Sequence, residues 1–362
     1  MTIAEEVKNF LHLGGEDIGK VFVLDGADAV GHRVVEKLID SGYTDLRVGV
    51  KTLHEDMHSN STEFVPFDWE KEDTYEAALK DVKTVFVTLP MTADFDKHFP
   101  HFLQHCTANH VKKIVKLSFY HSLKHVRTLI SSRVREAPLV HKHALCDGDL
   151  ILHKHLNATI IFATHLMSNV FMYDFNKQGL AKHHEIYGAS NGKGVNYVSP
   201  NDVADVAVHA ILDKVHKRQA YTLIGPTTRD AEIAKLLTDK FQTTITYVEK
   251  PPSFFDNDTA LLEKVKASGL EESFSHGDTK KILGREPETF ADYLLTTDRM
   301  CPIEQDVLAV HTRHHCHSGR EEEKKMMKEE SEQSTEEEVG AHVVQKMLHD
   351  IATPASVGEV AQ

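Results

Sequence analysis

Hydrophobic and polar positions fall into short blocks whose period changes along the chain. VFVLD, from Val21, is an apolar run rich in β-branched residues and reads as a strand. Apolar positions then recur at Val30, Val34, Val35, Leu38 and Ile39, which lie on one face of a helix. LRVGV is the next strand, and EFVPF is a third. TYEAALKDV reads as helical, and TVFVTLP is a fourth strand that ends at Pro90. KIVKLSF, Lys113 to Phe119, is a fifth, and TIIFA, Thr159 to Ala163, is a sixth, with helical stretches between them. Strands that alternate with helices imply right-handed crossovers. The pattern therefore predicts an α/β fold, a doubly wound parallel sheet with helices on both faces.

The second half is smaller in scale. VNYVSPNDVADVAVHAIL gives an extended piece and then a helix begun near Pro200. AYTLIG and ITYVE are strands around the helix DAEIAKLLTDKF. Pro251 and Pro252 break the chain before the helical ALLEKVKASGL. These pieces predict a smaller C-terminal lobe on the substrate side. From about Arg299 charge dominates and aliphatics thin out, as in REEEKKMMKEESEQSTEEE, so residues 299–362 read as a largely disordered tail. At the other end Ile3, Val7, Phe10 and Leu11 recur at helical spacing. Residues 1–19 are expected to form a helical extension, and 20–298 the folded domain.

Charge narrows the partners. The net charge of -14 argues against a nucleic acid held by phosphate contacts, because the overall field repels polyanions. No stretch reaches the roughly 18 consecutive apolar residues of a membrane span. The amino terminus is acidic and lacks a secretory signal pattern, and Cys106, Cys146, Cys301 and Cys316 are widely spread. A reduced, cytoplasmic setting is expected. The acidic tail and the amino-terminal helix are the surfaces open to a protein partner.

The candidate chemistry starts in the first strand-helix unit. A dinucleotide loop needs glycines so that the turn is tight and the backbone can approach the pyrophosphate, whose charge rests on the helix amino terminus. Against an ungapped Gly-x-x-Gly-x-x-Gly pattern, Asp25 and Asp28 stand at the first two glycine places and only Gly31 remains. A one-residue shift restores Gly26 and puts Ala29 in the second place. In the ungapped reading two carboxylates would face the pyrophosphate, each contact costing on the order of 1 kcal/mol in water and more in a drier site. The other reading is a plain strand-to-helix turn with Asp28 or Asp25 as the helix cap.

Taken in order, KVFVLDGADAVGHRVVEKL, VPFDWEKEDTYEAALKDVKTVFVTLP, VKKIVKLSF, TIIFATHLMSNVF, VNYVSPNDVADVA, AYTLIGPTTRDAEIAKLL and LGREPETFADYL resemble the NmrA-like group of atypical short-chain dehydrogenases/reductases. The resemblance spans about Lys20 to Thr297 and implies a Rossmann domain that prefers NADP(H). It implies a cofactor set of Gly26, Gly31, Lys51 for the 2′-phosphate, Asp68 on the adenine side, and Thr88, Leu89 and Pro90 beside the ribose and nicotinamide. Ser118 falls at the end of the fifth strand, and Asn169 falls near the substrate pocket. The simpler reading of Lys51 is an exposed loop lysine, and that of Ser118 a strand-end hydroxyl bonded to backbone.

The chain also departs from the family. Phe162-Ala163 replaces its Arg-Pro, and Tyr120 to Lys124 in YHSLK mimics the Tyr-x-x-x-Lys pair but comes too early in the chain. Lys142 matches a lysine that many members keep, flanked by His141 and His143, and a polar helix face is the simpler reading of all three. Tyr120 and Lys142 are thus weak catalytic candidates. The 26 histidines include a tail cluster, His311, His314, His315 and His317, that fits no zinc framework, so no metal site is expected. Binding of NADP(H) is expected to be weak or absent. The first functional reading is a non-catalytic or weakly nucleotide-sensing regulatory protein. The alternatives are an NADPH-dependent oxidoreductase of quinone-like or small carbonyl substrates, whose cofactor carries the hydride, and a structural subunit of a larger assembly.

Overall fold

The structure is a computed structural model that describes residues 18–26, 28–51, 62–89, 94–120, 138–212, 219–274 and 277–296. The expected amino-terminal helix, apart from residues 18 and 19, lies outside the described residues, as do Pro90, Lys124 and the tail with its histidine cluster.

The central sheet is built from β1 (Lys20–Val23), β2 (Leu46–Val50), β3 (Thr62–Pro66), β4 (Val82–Val87), β5 (Lys113–Phe119), β6 (Asn157–Ala163) and β10 (Ala220–Leu223). Their order is β10-β6-β5-β4-β1-β2-β3, with every neighbouring pair parallel. This is the doubly wound Rossmann sheet that the pattern predicts. Its inner strands are buried on both faces, which is why β1 reads as an unbroken apolar run rather than an alternating one.

One face carries α1 (Ala29–Asp40) and α7 (Pro200–Leu212). The apolar stripe of α1, Val30, Val34, Val35 and Leu38, packs there with Val203, Val206 and Ile211. The other face carries α2 (Asp73–Leu79), α3 (Phe95–Ala108) and α4 (Pro138–Leu152). An aromatic group of Phe67, Trp69, Tyr75, Phe99 and Phe102 fills that layer. Arg47 of β2 lies among these elements. Its guanidinium donates to the carbonyls of Ala78 (2.9 Å) and Lys80 (2.7 Å) at the end of α2, and to both carboxylate oxygens of Glu63. It therefore fastens α2 to β3 (Thr62–Pro66).

The C-terminal lobe holds two small sheets. β7 (His165–Leu166), β9 (Val195–Val198) and β11 (Thr227–Thr228) form one, in the order β11-β9-β7, and β8 (Glu185–Gly188) pairs with β12 (Thr246–Glu249) in the other. Its helices are α5 (Asn169–Met172), α6 (Asp174–His183), α8 (Asp230–Phe241), α9 (Asn257–Ala267), α10 (Gly277–Leu283) and α11 (Phe290–Leu295). Met167, Phe171, Tyr197, Ile233, Leu237, Phe290 and Tyr293 make its core. The boundary between lobe and sheet is not where the sequence order puts it. AYTL of the second half becomes β10, the edge strand of the central sheet beside β6. The helix begun at Pro200 packs on α1 rather than in the lobe. Local periodicity gives each element its type but not its neighbour.

Candidate functional site

The strand order reverses between β1 and β4, and there the carboxyl ends of the strands open a crevice. The loop from β1 to α1 borders it. Gly26 is buried, and a Cβ there would come within 2.4 Å of Val48. Gly31 is closer still to its surroundings: a Cβ would lie 2.3 Å from the Asp25 carbonyl oxygen. Both glycines thus let the loop close tightly on the sheet and on the first turn of α1. Asp25 takes a left-handed φ of 50°, a backbone conformation that aspartate tolerates better than most residues.

Asp28 takes the capping role. Its carboxylate oxygen accepts hydrogen bonds from the Val30 and Gly31 amides, both at 2.6 Å. These are the orphan amides at the head of α1, the groups on which a pyrophosphate at this position would rest. Of the two readings of this loop, Asp28 takes that of the helix cap. Its charge is turned onto its own helix and stands in for the anion, because an aspartate one residue before a helix satisfies two of those amides without a ligand.

Lys51, Asp68, Thr88 and Leu89 follow the carboxyl ends of β2, β3 and β4. Lys51 is exposed at the end of β2. Asp68 accepts from the Glu70 amide at 3.0 Å in the loop after β3 and has Lys71 at 3.4 Å. Thr88 is buried after β4 and its hydroxyl donates to the Leu24 carbonyl at 3.4 Å, so the ends of β1 and β4 are tied together. Leu89 is half-buried beside it.

Ser118 of β5 has a side-chain partner in α4. Its hydroxyl donates to Asp147 Oδ2 at 2.7 Å, and Lys116 of the same strand reaches Asp147 Oδ1 at 2.7 Å. The side chains of Lys116 and Asp147 are both wholly buried. This pair joins β5 to α4 and was invisible as a pair in the sequence, although a lysine in the middle of KIVKLSF is itself a signal. The polar-face reading of α4 also needs correction. His143 is packed edge-on to Phe95, with ring centroids 5.4 Å apart. Burial, with the Lys116 charge adding, holds its imidazole well below the usual range, so it is neutral.

Lys142 projects from α4 toward the start of α3. Its ammonium lies 2.8 Å from Asp94 and 3.7 Å from Asp96. Hydrogen bonding to Lys142, and then to Lys97, lowers the Asp94 carboxyl to about 2. Tyr120 sits at the end of β5 against Phe274 of the lobe, with centroids 5.0 Å apart. Burial, with the Glu271 charge adding, raises its phenol, so it stays a neutral hydrogen-bond donor.

Beside this edge the lobe holds a pocket whose empty space, open solvent included, is about 420 Å³. His165 is in its wall and also touches Phe119, the last residue of β5, at 5.7 Å between centroids. The pocket therefore adjoins the β5 end of the crevice. Asn169 lines it, with its amide 3.5 Å from the Tyr173 hydroxyl. Tyr197, Asp230, Glu263 and Lys266 also line it, and none of these was picked out from the sequence. The Tyr197 hydroxyl donates to Asp230 Oδ1 at 2.6 Å. Lys266 pairs with Glu263 at 2.6 Å. Burial opposes its charge, but Glu263, with Tyr197 and Asp230, holds the ammonium well above the ordinary lysine range. Glu263 and Lys266 lie one turn apart on α9, but no spacing along the chain links them to Tyr197 of β9 or Asp230 of α8.

An all-parallel sheet with a glycine-lined turn at its switch point defines a Rossmann-type nucleotide-binding protein. The NAD(P)H-binding family profile matches residues 26–214. The chain belongs to that family. It is 23% identical over 296 residues to an uncharacterized oxidoreductase, YesF, of Bacillus subtilis, covering 75% of this chain and 93% of that one. It is 23% identical to agroclavine dehydrogenase of Claviceps fusiformis, covering 63% and 81%. Among solved structures it shares its fold with the NADPH complex of quinone oxidoreductase QOR2 of Escherichia coli, at a TM-score of 0.61 and 16% identity over 76% of this chain and 99% of that one. It shares it also with the NADP(H) complex of triphenylmethane reductase of Citrobacter sp., at a TM-score of 0.62 and 14% identity, again over 76% and 99%. Among the described residues no helix is long and apolar enough to cross a membrane, and no cluster of histidine, cysteine and carboxylate side chains could hold a metal ion.

Proposed function

We propose that this protein is an NADP(H)-dependent oxidoreductase of a small substrate, with residues 20–298 as the catalytic unit. The observation that carries this reading is the meeting of two features at one edge. The tight Gly26–Gly31 turn opens onto the switch point, and the lobe pocket adjoins the same edge through Phe119 and His165. The names of the relatives, which include a quinone oxidoreductase and two other reductases or dehydrogenases, support it.

The residues fit a dinucleotide if Asp28 swings off the Val30 and Gly31 amides, leaving those donors to the pyrophosphate. Lys51 then faces the 2′-phosphate, Asp68 the adenine side, and Thr88, Leu89 and Ser118 border the nicotinamide ribose. When bound, the nicotinamide supplies the hydride, so the chain needs only to bind, orient and exclude water. Asp147 holds the Ser118 hydroxyl, Asp94 holds the Lys142 ammonium, and Tyr120 offers its phenol proton to a substrate oxygen. Asn169 orients the substrate in the pocket.

A second reading, a weakly binding nucleotide sensor, is favoured by the Asp28 contact alone, since displacing it takes back part of the phosphate affinity. One experiment separates the two. The purified chain is titrated with NADPH by calorimetry, then mixed with NADPH and a panel of quinones and aromatic aldehydes while absorbance of the reduced nicotinamide is followed. Turnover of a panel member supports the reductase. Binding without turnover supports the sensor, and no NADPH binding at millimolar concentration sinks both.

A further inference from the structure

The polar groups of the lobe pocket are unevenly satisfied. Lys266 is paired with Glu263 Oε1 at 2.6 Å, and Glu263 Oε2 accepts from the Ala189 amide at 2.6 Å. That pair is closed on itself. Asp230 is not. It is 6% exposed, and Tyr197 takes only its Oδ1, at 2.6 Å. Oδ2 is buried and accepts no hydrogen bond among the described residues. It lies against Gly188, where a Cβ would come within 2.9 Å. With two carboxylates and one ammonium in the wall, Asp230 carries the charge left over after Lys266 and Glu263 neutralise each other. A buried carboxylate oxygen with no donor is costly, and the cost falls away when a charged N–H arrives.

The rest of the wall is aromatic. Tyr173 and Phe175 stack with centroids 5.3 Å apart, and Tyr187 and Tyr197 stand in the same lining. Aromatic faces favour both a cation and another ring. An anion would meet Asp230 and Glu263, while the ammonium that could receive it is already held.

We propose that this pocket binds a protonated arylalkylamine, with its ammonium on Asp230 and its ring against Tyr173 and Phe175. The proposal deepens the oxidoreductase reading by giving its substrate a chemical class, but binding itself needs no turnover. The test uses the full chain without cofactor and three probes of like shape: phenethylamine, phenethyl alcohol and hydrocinnamate. By calorimetry near neutral pH, the amine binds about tenfold or more tighter than the alcohol, a difference of about 1.4 kcal/mol. Hydrocinnamate binds more weakly than the alcohol. Asp230→Asn removes the preference for the amine and leaves the affinity for the alcohol unchanged, with a thermal melt to show that the variant is folded. Tyr197→Phe, which keeps the carboxylate and frees Oδ1, retains the preference, so the proposal stays testable if Asp230→Asn fails to fold. Equal affinity for amine and alcohol, a preference for the anion, amine binding that survives Asp230→Asn, a preference lost in Tyr197→Phe, or no binding of any probe would each overturn it. Turnover of NADPH by a protein that binds no amine leaves the oxidoreductase reading standing and this proposal fallen. Amine binding without any NADPH binding does the reverse.

Discussion

The carboxylate of Asp28 lies 2.6 Å from the amide nitrogen of Gly31, and the same oxygen lies 2.6 Å from that of Val30. One side chain thus both caps α1 and fills the anion position at its head. The two roles have opposite consequences when the residue is changed. Asp28→Ala should lose about 1 kcal/mol of stability through the missing cap, yet bind NADPH roughly tenfold more tightly, as removal of about 1.4 kcal/mol of competition implies. Asp28→Ser keeps a capping oxygen without the charge and should gain affinity with little loss of stability. Calorimetric titration and thermal melts of the three proteins check this. An Asp28→Ala protein with unchanged or weaker NADPH affinity shows that the carboxylate does not compete.

Cofactor choice tests the end of β2. LRVGVK carries no acidic residue to accept bonds from a ribose 2′-hydroxyl, and Lys51 is exposed just past the strand. Arg47, the other cation of this strand, is committed to Glu63 and to the end of α2, so it contributes nothing to the preference. NADPH should therefore bind more tightly than NADH, and Lys51→Ala should narrow the gap by weakening NADPH alone. Equal affinities in the parent protein would reduce Lys51 to a surface lysine.

Lys116 and Asp147 form an ion pair removed from water, with Ser118 on the second carboxylate oxygen. Breaking such a pair from one side strands a buried charge and costs about 3–5 kcal/mol. Lys116→Met should lower the unfolding free energy by that order, as should Asp147→Leu. The double variant should recover most of the loss, because two apolar side chains leave no charge behind. Denaturant titration of the four proteins gives the coupling directly, and simple additivity would show that the two charges act independently.

The Asp94–Lys142 contact sets a pH signature at the crevice edge. The Asp94 carboxyl is held at about 2 against an ordinary 3.8, with Lys142 the leading cause. A carboxyl lowered on folding adds stability above its unfolded value and loses it as pH falls from about 3.8 towards 2. Lys142→Met should raise the Asp94 titration midpoint towards 3.8, read by NMR of the side-chain carboxyl. Both partners are partly open to solvent, so little effect on overall stability is expected. A midpoint unmoved by Lys142→Met would mean that Lys97 alone holds the carboxyl.

The sequence by itself determined the sheet. Each strand of the first half, from VFVLD to TIIFA, is a buried run between helical stretches, and a chain of such units has essentially one handed way to wind. It also showed that the first turn departs from the Gly-x-x-Gly-x-x-Gly pattern, because the identities of Asp25, Gly26, Asp28 and Gly31 can be read without coordinates. Tertiary structure decided the rest. It put β10 on the central sheet rather than in the lobe, since pairing partners are chosen across the fold and not along the chain. It turned Asp28 onto the helix amides, a choice between two satisfied states that a residue's identity does not make. It gave Arg47, a cation within β2, to Glu63 and α2. And it assembled Tyr197, Asp230, Glu263 and Lys266 from three distant elements into one pocket wall. Charges separated by many residues carry no periodic signal, and only packing brings them within hydrogen-bonding reach.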